Sequence, residues 1–303
     1  MQRLYPKLVT LLGGVGLGLA LTYIIGVILA FIPGWEDWAE FFVPLAIPLL
    51  IPPYLLLVVH LVLRNHVGRF LLGKMAFEEA AEYAGKRMNA SVLRSRREVA
   101  NQRIVNARAH IGMGDYEKAR QLLDEHDDWP GSYKMESRRW LCELALRDDD
   151  RKLAGQYVVD TPSDHDASRG HLAAILGCGA ELALRDDDRA GYEEQMEYAL
   201  WEDGSHWRVR LARALAMLNF ELGGEDTTEV AELFEELEEP AGKRIPAWRS
   251  ELKALRALAA RRGGDDERAR QLLDEAADGP QDTWSRNVLE HATTSSTEAP
   301  SRS

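Results

Sequence analysis

Cysteine is nearly missing from this chain: Cys142 and Cys178 are the only two in 303 residues. That count excludes a disulfide framework and a CxxC metal site. Two thiols in so long a chain fit a reducing compartment, and small buried packing residues are the ordinary reading of both. Enzyme signatures are missing as well. The sequence contains no P-loop, no GxSxG, no HExxH and no strand-linked GxGxxG. The eight histidines are scattered. His165 and His171, with Asp164 and Asp166, could hold a metal, although a solvated loop is the plainer reading. The sequence therefore predicts a protein that is not an enzyme and needs no cofactor or metal.

Charge is missing from two long stretches. No Asp, Glu, Lys or Arg occurs from Leu8 to Ile32, nor from Phe41 to Leu63. At about 1.5 Å rise per residue the first would be a helix roughly 37 Å long, enough to cross a hydrocarbon core of about 30 Å with some tilt. The second is also of spanning length. A cleaved signal peptide fits the first poorly, because its apolar core is too long and no small-x-small site stands directly before Pro33. The link Pro33–Glu40 carries Glu36, Asp37 and Glu40 and no cation, while Arg3 and Lys7 precede the spans and Arg64, Arg69 and Lys74 follow them. By the positive-inside bias, both termini face the cytoplasm. Trp35 and Trp38 sit where interfacial aromatics belong. The expectation is a two-span protein of the plasma (inner) membrane.

The spans differ in texture. Gly14, Gly18, Thr22, Gly26 and Ala30 recur every four residues in the first, a small-residue stripe that permits close helix approach. Pro44, Pro48 and Pro52 do the same in the second and bend it. The stripe fits packing within the hairpin, or a seam to another membrane subunit or a second copy. With no internal Asp, Glu, Lys or Arg, the spans offer no evident ion path.

Net charge is −1 over residues 1–63, +6 over 64–108 and −17 over 109–303. The basic stretch, 64–91, places Phe70, Phe77, Ala81, Ala84 and Met88 on one helical face. It reads as an amphipathic helix on anionic headgroups, or as the first helix of the following domain.

Residues 92–291 repeat themselves. LALRDDDR occurs at Leu144–Arg151 and again at Leu182–Arg189, and ARQLLDE at Ala119–Glu125 and Ala269–Glu275. Five helix pairs follow: 92–112 with 115–127, 133–147 with 149–160, 167–185 with 187–202, 206–222 with 225–239, and 243–262 with 265–278. Asp or Glu opens each second helix, where it can cap free N–H groups. No strand-period pattern of useful length occurs, so the fold class is all-α. Pro280 opens a last helix with Trp284, Val288 and Leu289 on one side, and residues 292–303 lack the apolar side chains needed to order themselves.

Gly114-Asp115-Tyr116-Glu117-Lys118-Ala119 resembles the start of the second helix of a tetratricopeptide repeat, and Gly264-Asp265-Asp266-Glu267-Arg268-Ala269 matches it without the aromatic. Ala107 and Ala257 stand where that family places a small residue. Arg103, Asn106 and His110 depart from its aromatic and leucine positions. The resemblance implies an α-solenoid whose first helices line a concave groove. The layout of twin spans before a cytoplasmic repeat domain is also similar to the HemY-type inner-membrane proteins of bacteria.

First helices are net cationic and second helices net anionic. Mutual stabilisation across pair interfaces accounts for that split. So does a function: with the family's geometry, Arg97, Arg108, Arg138, Arg210, Arg249 and Arg256 would make a basic groove for an acidic segment of a partner protein. Nucleic acid fits less well, since the acidic outer layer would repel it. The expected function is a membrane-tethered scaffold; the alternative is a non-catalytic subunit of an envelope export or polysaccharide-secretion complex, docking through its spans.

Overall fold

The computed structural model describes residues 14, 18, 66–89, 95–124, 129–159, 168–221 and 227–294, apart from the side chains of 220 and 221. The chain divides into two compact units, Met1–Ala80 and Ala81–Ser303. Among the described residues there are helices and turns and no strand, in keeping with an all-α fold.

In the first unit, Gly14 and Gly18 are helical and exposed. The remainder of both candidate spans, with Thr22, Gly26, Pro44, Pro48, Pro52, Trp35, Trp38 and Arg64, lies outside the described residues. Among the described residues no helix is long and apolar enough to cross a membrane. Arg69 and Lys74 are exposed. The stretch 64–91, expected as one helix, contains two. Residues 66–73 are helical; Met75 then takes a left-handed φ of 57°, the Ala76 N–H bonds back to Leu71 O at 3.0 Å, and helix α1 (Phe77–Asn89) follows. Gly73, a weak helix former, ends the earlier helix. Ala76, Ala80 and Ala84 are buried at a four-residue spacing; of the face read from the sequence Ala84 is buried, Phe77, Ala81 and Met88 are half-buried and Phe70 is 36% exposed.

The second unit continues with α2 (Arg96–Met113), α3 (Tyr116–Leu123), α4 (Gly131–Arg147), α5 (Arg151–Val159), α6 (Arg169–Arg185), α7 (Arg189–Asp203), α8 (Trp207–Ala216, then a π-helical turn Met217–Glu221), α9 (Thr227–Gly242), α10 (Ala247–Arg262), α11 (Asp266–Ala277) and α12 (Thr283–Thr294). Neighbouring helices pack in succession, in a solenoid-like order.

Four of the turns inside pairs share one geometry, which explains the repeated sequence. An Asp just past the first helix bonds its N–H five residues back: Asp115 to His110 O, Asp150 to Ala145 O, Asp188 to Ala183 O and Asp265 to Ala260 O, each at 2.9 Å. The residue before it is left-handed: Gly114 at φ 80°, Asp149 at 57°, Asp187 at 56° and Gly264 at 83°. This is a Schellman end, which satisfies carbonyls the helix leaves free. The Asp after it then caps the next helix. Asp115, Asp150, Asp188 and Asp265 accept from the N–H groups of Lys118, Leu153, Gly191 and Arg268 at 3.2, 3.0, 2.9 and 3.0 Å. One tripeptide thus ends one helix and starts the next.

A left-handed residue with a Cβ is strained, and Asp187 is exposed. Asp187→Gly is therefore expected to stabilise the unit by about 0.5–1 kcal/mol, and Gly264→Ala to destabilise it by about 1 kcal/mol. Urea unfolding of the full chain checks both signs.

The main core is built largely from first helices. Ile104 and Ile111 of α2, Trp140 and Leu144 of α4, Trp207 and Leu211 of α8, and Trp248 and Leu252 of α10 belong to one buried cluster with Val230 and Phe234 of α9. Ala107, Ala119, Ala257 and Ala269, the small residues of the repeated motifs, are at most 1% exposed. Small side chains there let helices approach closely.

Candidate functional site

The interior of the repeat unit is not purely apolar. Glu143 in α4 and Glu181 in α6 hold equivalent places, each directly before a copy of LALRDDDR. Arg208, near the start of α8 and 1% exposed, serves both. Its Nη2 lies 2.6 Å from Glu181 Oε2 and its Nε 3.4 Å from Glu143 Oε2. The same Nε donates to Cys178 Sγ at 3.2 Å. Burial works against the charge of Arg208, but Cys178, Glu143 and Glu181 outweigh it and raise its pKa.

A second buried arginine ends α4. Arg147 donates from Nη1 to Glu251 Oε2 at 2.8 Å and from Nη2 to Asp282 Oδ1 at 2.9 Å, with Nε on Asp282 Oδ2. Tyr116 donates its hydroxyl to Asp282 at 2.6 Å, and Trp284 Nε1 donates to Glu251 Oε1 at 3.1 Å. Arg185, the counterpart of Arg147 in the repeated segment, pairs with Glu181 and stacks 3.4 Å from the Trp284 ring centroid. These bonds tie the Asp282 turn and α12 to α3, α4 and α6 as well as to α10, so the last helix does more than cover its neighbour.

The two carboxylates on Arg147 titrate apart. Burial pushes Glu251 up to about 7 despite Arg147. Burial also acts upward on Asp282, but Arg147 and the Tyr116 hydroxyl hold it down at about 2. The signs differ accordingly. A raised carboxyl contributes stability that is full below its unfolded pKa, about 4.5, and is lost as pH rises through 7. For Asp282 the contribution is present above about 4 and is lost as pH falls through 2. The expected result is a decline on the order of 2 kcal/mol between pH 4.5 and 8 that Glu251→Gln abolishes, measured as urea midpoints across that range.

The six arginines expected to line a groove have different fates. Arg97 is exposed, and Arg108, Arg138, Arg210 and Arg249 are half-buried. Arg256 is buried. Three of them meet carboxylates of neighbouring helices. Arg210 pairs with Glu236 of α9, Arg256 with Glu235 at 2.5 Å and Glu238 at 3.3 Å, and Arg108 with Glu136 at 3.6 Å. At Arg210 and Arg256 the cationic first helices and the anionic second helix α9 neutralise one another, as the interface reading has it.

Sequence reasoning missed the buried layer. Its signal was present: an Arg inside each copy of an otherwise apolar LALR segment, with Glu before it, is charge on a core-facing turn. Cys142 and Cys178 are buried in one cluster with Ala145, Leu146 and Ala154; sequence spacing alone did not bring them together. Of the residues considered for a metal, His171 lies 3.9 Å from Glu136, and His165, Asp164 and Asp166 lie outside the described residues. Among the described residues no group of three His, Cys, Asp or Glu could hold a metal ion. A cavity of about 270 Å³ adjoins the buried layer, with Leu184, Leu215, Leu255 and Leu258 in its walls beside Glu251 and Trp284.

Compared with family models, curated proteins and solved structures, the chain matches none.

Proposed function

We propose that this protein is a membrane-anchored, tetratricopeptide-like scaffold that recruits an acidic segment of a partner protein to the cytoplasmic face of the plasma (inner) membrane. One observation carries the reading: two uncharged stretches of spanning length, joined by an acidic link and flanked by cations, precede an array of helix pairs. The hairpin would hold the array beside the bilayer and raise the local concentration of whatever it binds. The cationic first helices supply a surface for acidic groups, and no catalytic arrangement is needed. A second reading, docking on another membrane subunit, rests on Gly14 and Gly18, which are helical and exposed.

The test is affinity capture of the full chain, with partners identified by mass spectrometry, beside a chain whose residues 1–63 are exchanged for an unrelated two-span hairpin. Partners retained after the exchange support recruitment by the repeat unit; partners lost with it support docking through the spans. A reporter fused to the C-terminus that is active only outside the cell would overturn both.

A further inference from the structure

Arginines from α2, α4 and the turn before α10 gather beside Trp140 and Trp207. Arg139 of α4 lies 5.0 Å from the Trp140 ring centroid, and Arg108 of α2 lies 5.3 Å from the same ring. Arg244, between α9 and α10, lies 5.4 Å from the ring of Trp207. His206, the cap of α8, sits beside Trp207 at 5.9 Å between ring centroids. Trp140 and Trp207 belong to the same buried cluster, and Arg244 is close enough to act on Arg139, and Arg108 on Arg244. They also depress one another. After burial, Arg244 is the largest influence on Arg139, whose pKa falls to about 10. Arg244 is lowered by burial and by Arg108. His206 is lowered to about 3 by burial, then Arg139 and Arg244, so it is neutral and its Nδ1 accepts the Arg208 N–H at 3.2 Å.

The carboxylates facing this cluster have other partners, although Glu143 keeps one oxygen, Oε1, without a donor among the described residues. Glu136 meets Arg108 and His171, Glu143 meets Arg208, and Asp203 accepts from Ser205 at 2.7 Å. Arg139 has no carboxylate partner among the described residues, and its Nη2 is buried without an acceptor there. Arg244 donates to Pro240 O and to no carboxylate among the described residues. The indole N–H groups of Trp140 and Trp207 are likewise buried without acceptors among the described residues. Buried donors left unmatched are costly. Here three of them, Arg139 Nη2 and the two indole N–H groups, coincide with clustered positive charge, and Arg139 and Arg244 are half-buried.

We propose that Arg139 and Arg244, with Arg108 beside them, form the seat for a carboxylate side chain of the partner's acidic segment, against the edges of Trp140 and Trp207. This rests on the scaffold reading and sharpens it. The anion is taken by Arg139 and Arg244, which meet no carboxylate among the described residues, not by Arg210 or Arg256, which Glu235, Glu236 and Glu238 already neutralise. A planar guanidinium offers a carboxylate two parallel N–H donors, and a half-desolvated site strengthens that bond.

The experiment measures fluorescence anisotropy of a fluorescein-labelled hexaglutamate peptide with the full chain in a neutral detergent, with hexaglutamine as control. The expected result is binding of hexaglutamate alone, weakened at least tenfold in the Arg139→Gln/Arg244→Gln double variant and less than twofold in Arg210→Gln. Arg244→Gln alone, a half-exposed change that spares the core, should weaken binding about threefold or more with unaltered circular dichroism. The seat is overturned if hexaglutamate does not bind, if it binds the Arg244→Gln chain as it binds the wild type, or if Arg210→Gln weakens it equally. Partner capture that survives the Arg244→Gln change would then leave the scaffold standing without this seat, whereas an extracellular C-terminus sinks the scaffold whatever the peptide does.

Discussion

Arg208→Met is expected to destabilise the repeat unit by about 3–5 kcal/mol. Arg208 is 1% exposed, and the two carboxylates it serves, Glu143 and Glu181, are each 3% exposed. Methionine fills much of the same volume, so the loss is not mainly one of packing. Two acids would remain in a low-dielectric interior. Glu181 would keep Arg185, while Glu143 would lose the cation that Arg208 supplies. Both would then take up protons or draw in water, at the expense of folding. The control separates charge from shape. If Glu143 and Glu181 are replaced by Met together with Arg208, the uncompensated charges vanish and most of the loss should be recovered, because buried ion clusters seldom outperform well-packed apolar ones. Urea unfolding of the full chain, followed by far-ultraviolet circular dichroism, gives both numbers. A single-variant loss below about 1 kcal/mol would mean that water reaches this layer.

Helix pairs were legible in the sequence for a specific reason. The DDD tripeptides and Gly-Asp dipeptides each perform two backbone tasks at once, a left-handed stop and an N-cap, and few residue types can do both. Gly114-Asp115 and Asp187-Asp188 therefore mark helix ends without reference to anything distant. What was not legible depends on distant partners. Arg147 reads as an ordinary last-turn cation, suited to the helix dipole, and only the return of the Asp282 turn makes it a buried one. Arg256 reads as a groove residue because its own helix is cationic; Glu235 and Glu238, on the preceding helix, decide otherwise. Arg139 and Arg244 were passed over because sequence shows where cations are and not which of them lack a partner. The break at Met75 was hidden by an apolar periodicity that continues across it: Phe70 and Phe77 are seven apart, as in one helix, although a turn lies between them.

Trp248→Ala is expected to cost about 3–5 kcal/mol, and Trp248→Phe only about 1–2 kcal/mol. Trp248 is 1% exposed and among the largest fully buried side chains. It stands where the apolar core and the charged layer touch. Trp207 meets it edge-on, with centroids 5.8 Å apart and planes at 79°, while Arg147 and Arg208 lie 4.6 and 5.5 Å from its ring centroid. Alanine would leave a cavity that the surrounding helices cannot close, because Trp207 and Leu252 are held by other contacts in the same cluster. It would also strip both guanidiniums of the ring that shields them, which adds a cation–π contribution of about 1–2 kcal/mol at a desolvated site. Phenylalanine keeps the ring for both arginines. It also removes an indole N–H that is buried without an acceptor among the described residues, a small gain set against lost volume. The contrast between the two variants is therefore the measurement that matters. Near-equal losses would show that indole volume alone holds this junction, and that Arg147 and Arg208 depend on their carboxylates and not on the ring above them.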